Sequence, residues 1–299
     1  MALEIEHVSK RFGKYTAVDD LSLSIPEKTI FGFLGANGAG KTTTFRIILG
    51  LMDASSGNVS WNGKPVDYST SDNIGYLPEE RGLYPKQKVK EQLIFLARLK
   101  GMSKQEAEKE LGRWLERFKV PDYADKKVEE LSKGNQQKIQ FIASVLHKPS
   151  LLILDEPFSG LDPINVELLK KAVLDLKESG TTIVFSSHRM EHVEQLCENL
   201  CILNKGKTVL QGSLKEIKQS FGKKNLIIHA DFDVSFLKEY PGVRKSSVTP
   251  EGIQLQIEGE EVAGSILQEI VGRGFIRKFA LEEPSLNDIF IEKVGASYE

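Results

Sequence analysis

The eight residues Gly35-Ala36-Asn37-Gly38-Ala39-Gly40-Lys41-Thr42 fit GxxxxGK(S/T), a spacing that cradles a polyphosphate. Glycines let successive backbone N–H groups turn inward around an anion, where a side chain would block the approach. Lys41 is suited to reach β- and γ-phosphates, and the Thr42 hydroxyl to hold Mg²⁺. The apolar run Ile30–Leu34 precedes the loop and a helical pattern from Thr43 to Leu49 follows. The positive end of that helix, with Thr43 in its first turn, therefore faces the same anion. A second cluster, Asp155-Glu156, ends the apolar run Leu151–Leu154. Such a strand sets both carboxylates at the carboxyl edge of a sheet, beside the phosphate loop. Asp155 suits Mg²⁺, usually through water, and Glu156 suits orienting and deprotonating an attacking water. These residues predict nucleotide binding and phosphoryl transfer to water.

The elements that must position them follow from periodicity. Leu3–Glu6 and Leu21–Ile25 alternate as an antiparallel sheet does, and Gly57–Trp61 turns at Asn62-Gly63, a hairpin signal. Ile74–Leu77 reads as a buried strand ended by Pro78. From about Lys88 to Lys148 apolar residues recur at three- and four-residue steps, which predicts a helical subdomain inserted between strands. The chain then alternates strand and helix: Leu151–Leu154, Val166–Lys177, Thr182–Phe185, Met190–Cys197, Cys201–Leu203. Near-continuous apolar strands separated by helices imply a parallel sheet covered on both faces. After about Ser220 the order becomes βαββαβ, with a helical stretch at Val234–Glu239 and a last helix near Leu286–Val294, the split ferredoxin-like unit. The boundary is placed at Gly222-Lys223-Lys224.

The 299 residues suggest about two domains. Forty Lys+Arg against 42 Asp+Glu give a net charge of −2, which offers no basic field for nucleic acid. No apolar run approaches the ~20 residues of a membrane helix. Met1–Glu6 lacks the basic and apolar regions of a signal peptide, so a cytoplasmic location is expected. Cys197 and Cys201 lack the further ligands a metal site needs and are expected to be reduced packing residues.

Leu131-Ser132-Lys133-Gly134-Asn135-Gln136-Gln137, just before the Asp-Glu strand, resembles the LSGGQ signature of ATP-binding cassette (ABC) ATPases. Residues 1–215 carry, in that family's order, the phosphate loop, a Gln-loop region, the signature, the Asp-Glu strand, the Ser159-Gly160-Leu161-Asp162 loop and a switch His188. The resemblance implies an α/β P-loop NTPase of the ABC ATPase type over residues 1–220, a mixed-sheet core with the helical subdomain at about 88–148. A small α+β ferredoxin-like accessory domain would occupy 221–299. ATP and Mg²⁺ are the implied cofactors. Ser132, Gly134 and Asn135 would serve the ATP of a second subunit in a head-to-tail dimer, and Asp162 would couple the two sites. His188 would contact the γ-phosphate, although a histidine at a strand end taken alone is more often structural. Phe12 resembles the family's adenine-stacking aromatic, with Tyr15 the runner-up and a core role for Phe12 the bland reading. Three positions depart from the pattern. Lys133 and Asn135 stand where Gly and Gln are usual, and Glu79 replaces the glutamine that follows the Tyr76-Leu77-Pro78 strand end. A carboxylate at 79 can still ligand Mg²⁺ but brings a charge that glutamine lacks.

Because the chain has no membrane span, the resemblance implies a separate membrane permease, docked at the segment Leu77–Lys90, with the ATPase peripheral on the inner face of the membrane. Phe279–Phe290 resembles the C-terminal extension of bacterial exporter ATPases of the sodium-efflux and antibiotic types. An exporter is the favoured reading. The alternatives are an importer ATPase with a substrate-sensing C-terminal domain, and a soluble ABC protein acting on ribosomes or DNA.

Overall fold

The structure is a computed structural model that describes residues 3–80, 82–222 and 224–295. Met1 and Ala2 of the N-terminal hexapeptide, Arg81 of the docking segment and Lys223 of the expected boundary lie outside the described residues. The chain divides into two compact units, Met1–Gly212 and Ser213–Glu299. The division falls ahead of the boundary expected after residue 220.

In the first unit the strands are β1 (Leu3–Phe12), β2 (Tyr15–Ile25), β3 (Ile30–Gly35), β4 (Ser56–Trp61), β5 (Lys64–Pro65), β6 (Ile74–Leu77), β7 (Leu151–Asp155), β8 (Thr182–Ser186), β9 (Asn199–Asn204) and β10 (Lys207–Ser213). The helices are α1 (Lys41–Ile48), α2 (Val89–Leu99), α3 (Lys104–Arg117), α4 (Lys133–Val145), α5 (Pro163–Glu178) and α6 (Met190–Leu196). One sheet has the order β2-β1-β4-β5 and is antiparallel throughout. The other runs β10-β9-β3-β8-β7-β6, with β9, β3, β8, β7 and β6 parallel to one another. Residues of β3, β7 and β8 are all buried, as continuous apolar strands in a covered parallel sheet must be. This is the mixed α/β architecture expected of a P-loop NTPase.

Helices α2, α3 and α4 form the insertion between β6 and β7. Trp114, Phe118 and Phe141 lock α3 to α4, with ring centroids 5.8 to 6.0 Å apart. Ser103 starts α3 with a reciprocal cap to Glu106. Gly75 sets how closely α4 meets the sheet: a Cβ there would lie 2.1 Å from the Ser144 carbonyl oxygen. Cys197 and Cys201 are free and buried.

The second unit contains α7 (Leu214–Ser220), β11 (Lys224–Ala230), β12 (Val243–Thr249), β13 (Gly252–Ile257), α8 (Glu260–Ile270), β14 (Ile276–Glu282) and α9 (Leu286–Phe290). Its antiparallel sheet has the order β12-β13-β11-β14, which is the ferredoxin-like arrangement. Leu226, Ile228, Ile253, Leu255 and Ile257 of the strands pack with Ala263, Ile266 and Ile270 of α8. The first helix of the expected unit is reduced to a 3₁₀ turn, Ser235–Glu239. Asp233 holds Ser235 in a tight local turn and Pro241 stops the chain after Tyr240, leaving too few residues for an α-helix. Ser285 caps α9 reciprocally with Asp288, and Asp288 also accepts from the Asn225 amide at 2.9 Å. The terminal helical pattern ends as a π-type turn, Ile291–Gly295.

Candidate functional site

β3 delivers the phosphate loop into the start of α1. Gly38 and Gly40 take left-handed φ of 79° and 106°. A Cβ on Gly40 would also lie 2.4 Å from the Ala17 carbonyl oxygen, so room as well as conformation requires glycine. The loop floors a cavity of ≈ 400 Å³ lined by Asn37 through Thr43 together with Phe12, Tyr15, Ala17, Glu79 and Glu156. That volume lies in the range of small-molecule sites. Lys41 is buried, and its ammonium donates to the carbonyls of Gly35 at 2.6 Å and Ala36 at 3.2 Å. Burial lowers its pKa, opposed by the carboxylates of Glu156, Asp155 and Glu79.

The hydroxyl of Thr42 donates to Asp155 Oδ2 at 3.1 Å, and that of Ser186 donates to Asp155 Oδ1 at 2.5 Å. Register places Ser186 directly beside Asp155 across the parallel β7–β8 pair. The same Ser186 oxygen accepts the backbone N–H of Glu156 at 3.1 Å. Glu156 has a left-handed φ of 51°, uncommon for a residue with a side chain. Its carboxylate is buried and meets His188 Nδ1 at 2.8 Å. Burial raises the Glu156 pKa above the usual carboxylate range, and the contacts with His188 and Lys41 oppose the rise. A buried carboxylate oriented by an imidazole has the environment of a proton acceptor. Thr42, Asp155 and Glu79 offer only hard oxygen donors, the kind Mg²⁺ prefers. Among the described residues no three His, Cys, Asp or Glu side chains are grouped to hold a metal alone, so phosphate oxygens would have to complete such a set.

Phe12 and Tyr15 face each other across the β1–β2 hairpin and are 47% and 58% exposed, so neither is a core residue. The Lys10 ammonium lies 5.3 Å from the Phe12 ring centroid, and the Tyr15 hydroxyl donates to the Gly38 carbonyl at 3.4 Å. Ser132, Gly134 and Asn135 do not line the cavity. Ser132 caps α4 and is exposed, Lys133 points to solvent, and the Asn135 amide donates to Tyr123 Oη at 2.9 Å. Asp162 is an exposed cap of α5, accepting from the Asn165 N–H at 2.9 Å. A Cβ on Gly134 would lie 3.2 Å from the Gly160 carbonyl oxygen, so the signature and the Ser159–Asp162 loop are neighbours.

Two buried residues, Ser186 and Gln140, escape a motif reading, and Gln137 ends the signature segment without its contact being evident there. Gln137 donates from α4 to the carbonyl of Pro157, next to Glu156, at 3.1 Å. Gln140 donates to the carbonyls of Pro78 and Glu80. The available signal for the glutamines is amide residues at the spacing of the helix face that carries Ile139, Phe141, Ile142 and Val145.

The sheet order, the phosphate loop and the Asp-Glu strand end define a P-loop nucleotide-binding protein of the cassette type. Comparison with known proteins makes this specific. The profile described as ABC transporter matches residues 18–159, and that described as ATP-binding protein DrrA1-3-like, C-terminal domain, matches 212–294. The chain is 68% identical to an uncharacterized ABC transporter ATP-binding protein, YhaQ, of Bacillus subtilis (strain 168), over 99% of this chain and 100% of that one. It is 30% identical to Nod factor export ATP-binding protein I of Cupriavidus metallidurans, over 98% and 97%. The solved ATP-binding subunit of an ABC transporter superposes with a TM-score of 0.70 at 31% identity, covering 74% of this chain and 94% of that one. This chain belongs to the ABC transporter ATP-binding proteins and is an ATP-binding subunit of such a transporter.

Proposed function

We propose that the chain hydrolyses Mg·ATP to drive export through a separate membrane permease, working as a head-to-tail dimer on the cytoplasmic face of the membrane. The observation that carries the hydrolytic part is the buried Glu156, paired with His188 at the rim of the phosphate-loop cavity. In this reading Phe12 stacks the adenine, with Tyr15 beside it, and the loop N–H groups wrap the phosphates. Lys41 exchanges the Gly35 and Ala36 carbonyls for β- and γ-phosphate oxygens. Thr42, Asp155 and Glu79 would hold Mg²⁺, which supplies neutralisation of phosphate charge. Glu156 takes the proton of the attacking water as its oxygen bonds to the γ-phosphorus and the bond to the ADP oxygen breaks. His188 holds that carboxylate and would contact the γ-phosphate. Ser132, Gly134 and Asn135 do not line this chain's own cavity, which supports their serving a second copy, with Asp162 linking the two sites.

Two observations support the permease. Among the described residues no helix is long and apolar enough to cross a membrane. Beside the 77–90 segment lies an apolar groove of ≈ 350 Å³ whose lining includes Leu51, Tyr76, Pro78, Leu83, Leu96 and Leu99. Leu51 and Leu99 are 65% and 63% exposed, which suits a partner's helix. Export is supported by the Nod factor export relative, similar along nearly the whole chain. The test is affinity capture of the tagged chain from detergent-solubilised membranes. Recovery of a membrane-spanning permease whose loss abolishes efflux is the expected result. A small substrate bound to residues 221–299, or a ribosome instead of a permease, overturns the exporter reading.

A further inference from the structure

Gln140 lies about two turns along α4 from Ser132 and is 5% exposed. Its Nε2 carries two protons, and both are directed to carbonyls that flank a single residue. The acceptors are Pro78 O at 3.2 Å and Glu80 O at 2.9 Å, and the residue between them is Glu79. The chain leaves β6 at Leu77 and enters helix again only at Val89. Backbone N–H groups of Val128 and Glu129 hold the later part of this stretch at the carbonyls of Gln87 and Pro85. Side-chain amides hold it at two further points: Gln140 around Glu79, and Gln92 of α2 around Tyr84, at 3.0 and 3.3 Å.

Glu79 is exposed, yet its side chain lines the nucleotide cavity. Glu156 lines the same cavity, and Asp155 accepts from the hydroxyl of Thr42, another lining residue. Like charges favour turning Glu79 out to water, where its solvation is complete. Fixed peptide groups on both sides oppose that turn, because they leave the side chain only its own rotamers.

We propose that Gln140 is a positioning residue that aims the Glu79 carboxylate at the Mg²⁺–phosphate region. It thereby ties the metal response of the site to α4, the helix that begins at Ser132. The inference rests on the reading of Glu79 as a metal-proximal group. Satisfying two carbonyls for stability alone would be the plain alternative, and that role would not alter the dependence on metal.

The experiment is a Mg²⁺ titration of ATPase activity at saturating ATP on the full chain: wild type, Glu79→Gln, Gln140→Met and the double variant. Methionine keeps the length of glutamine and removes both donors. Gln140→Met is expected to raise the half-maximal Mg²⁺ concentration in the same direction as Glu79→Gln, about fivefold, the low end of the scale for two lost hydrogen bonds. Metal-free ATP binding stays unchanged, and the double variant shifts no further than Glu79→Gln alone. Additive shifts, or a Gln140→Met curve that overlays the wild type while Glu79→Gln moves, overturn the positioning role and leave Glu79 as sensor. A Glu79→Gln curve that overlays the wild type overturns the sensor reading and this proposal with it. If Gln140→Met does not fold, Gln140→Leu is measured with the same outcomes, and melting curves identify the folded variant.

Discussion

One hydroxyl organises the two carboxylates at the centre of this site. The Glu156 N–H must donate, so Ser186 accepts from it and spends its single proton on Asp155. That donor–acceptor order holds Glu156 in its left-handed conformation, a backbone cost of order 1 kcal/mol that the buried site sustains. The reward is direction, because Glu156 then meets His188 instead of following Asp155 toward Thr42. Glu156→Gln is expected to retain ATP binding and reduce turnover by ~10²–10⁴, the usual loss with a general base. The sign of the pH effect follows from burial. A base must be ionised to act, and burial makes ionisation of Glu156 harder. Turnover in the wild type should therefore decline on acidification from a higher pH than an exposed glutamate would set. A pH–rate profile of kcat/KM checks this. An acid limb unchanged by Glu156→Gln would remove the residue from the role.

At the scale of elements, α4 does the connecting. It starts at Ser132, reaches the Glu156 segment through Gln137, the Glu79 segment through Gln140, and the sheet through its contact with Gly75. The last contact leaves no room for a methyl group, so the helix sits as close to β6 as backbone allows. Gly75→Ala is expected to force α4 outward and to cost about 1–3 kcal/mol, as overpacking does in a close-packed interior. Thermal denaturation measures the loss. ATPase activity should fall more steeply than stability, since both glutamine contacts move with the helix. A variant with wild-type melting and wild-type turnover would show that the Gly75 contact yields without disturbing α4.

At the scale of the whole molecule, the phosphate loop and the signature lie apart within one copy, since Ser132, Gly134 and Asn135 do not line the phosphate-loop cavity. If Ser132 acts on the nucleotide of a second copy, mixing Lys41→Ala and Ser132→Arg subunits creates one site with neither motif and one with both intact. The mixture is expected to recover ATPase activity above either variant alone, measured by phosphate release at matched total protein. Full activity in both parent variants contradicts the shared site.

What contiguous residues encode was legible directly. The phosphate loop, the Asp155-Glu156 strand end and the helical insertion are local patterns whose chemistry depends on the order of residues along one stretch of backbone. The βαββαβ order of the C-terminal unit was legible for the same reason, except its first helix. There Asp233 and Pro241 outweigh a short apolar pattern. The contacts of Ser186, Gln137 and Gln140 were not legible, because each acts on a backbone group far away in the chain. Ser186 holds Glu156 from 30 positions off, and Gln140 holds Glu80 from 60. Side-chain bonds to distant carbonyls and N–H groups leave no period and no spacing in a sequence. The motif residues and the chemistry of their side chains belong to the sequence; which buried hydroxyl and amide groups aim them was decided only when β7 met β8 and α4 met β6.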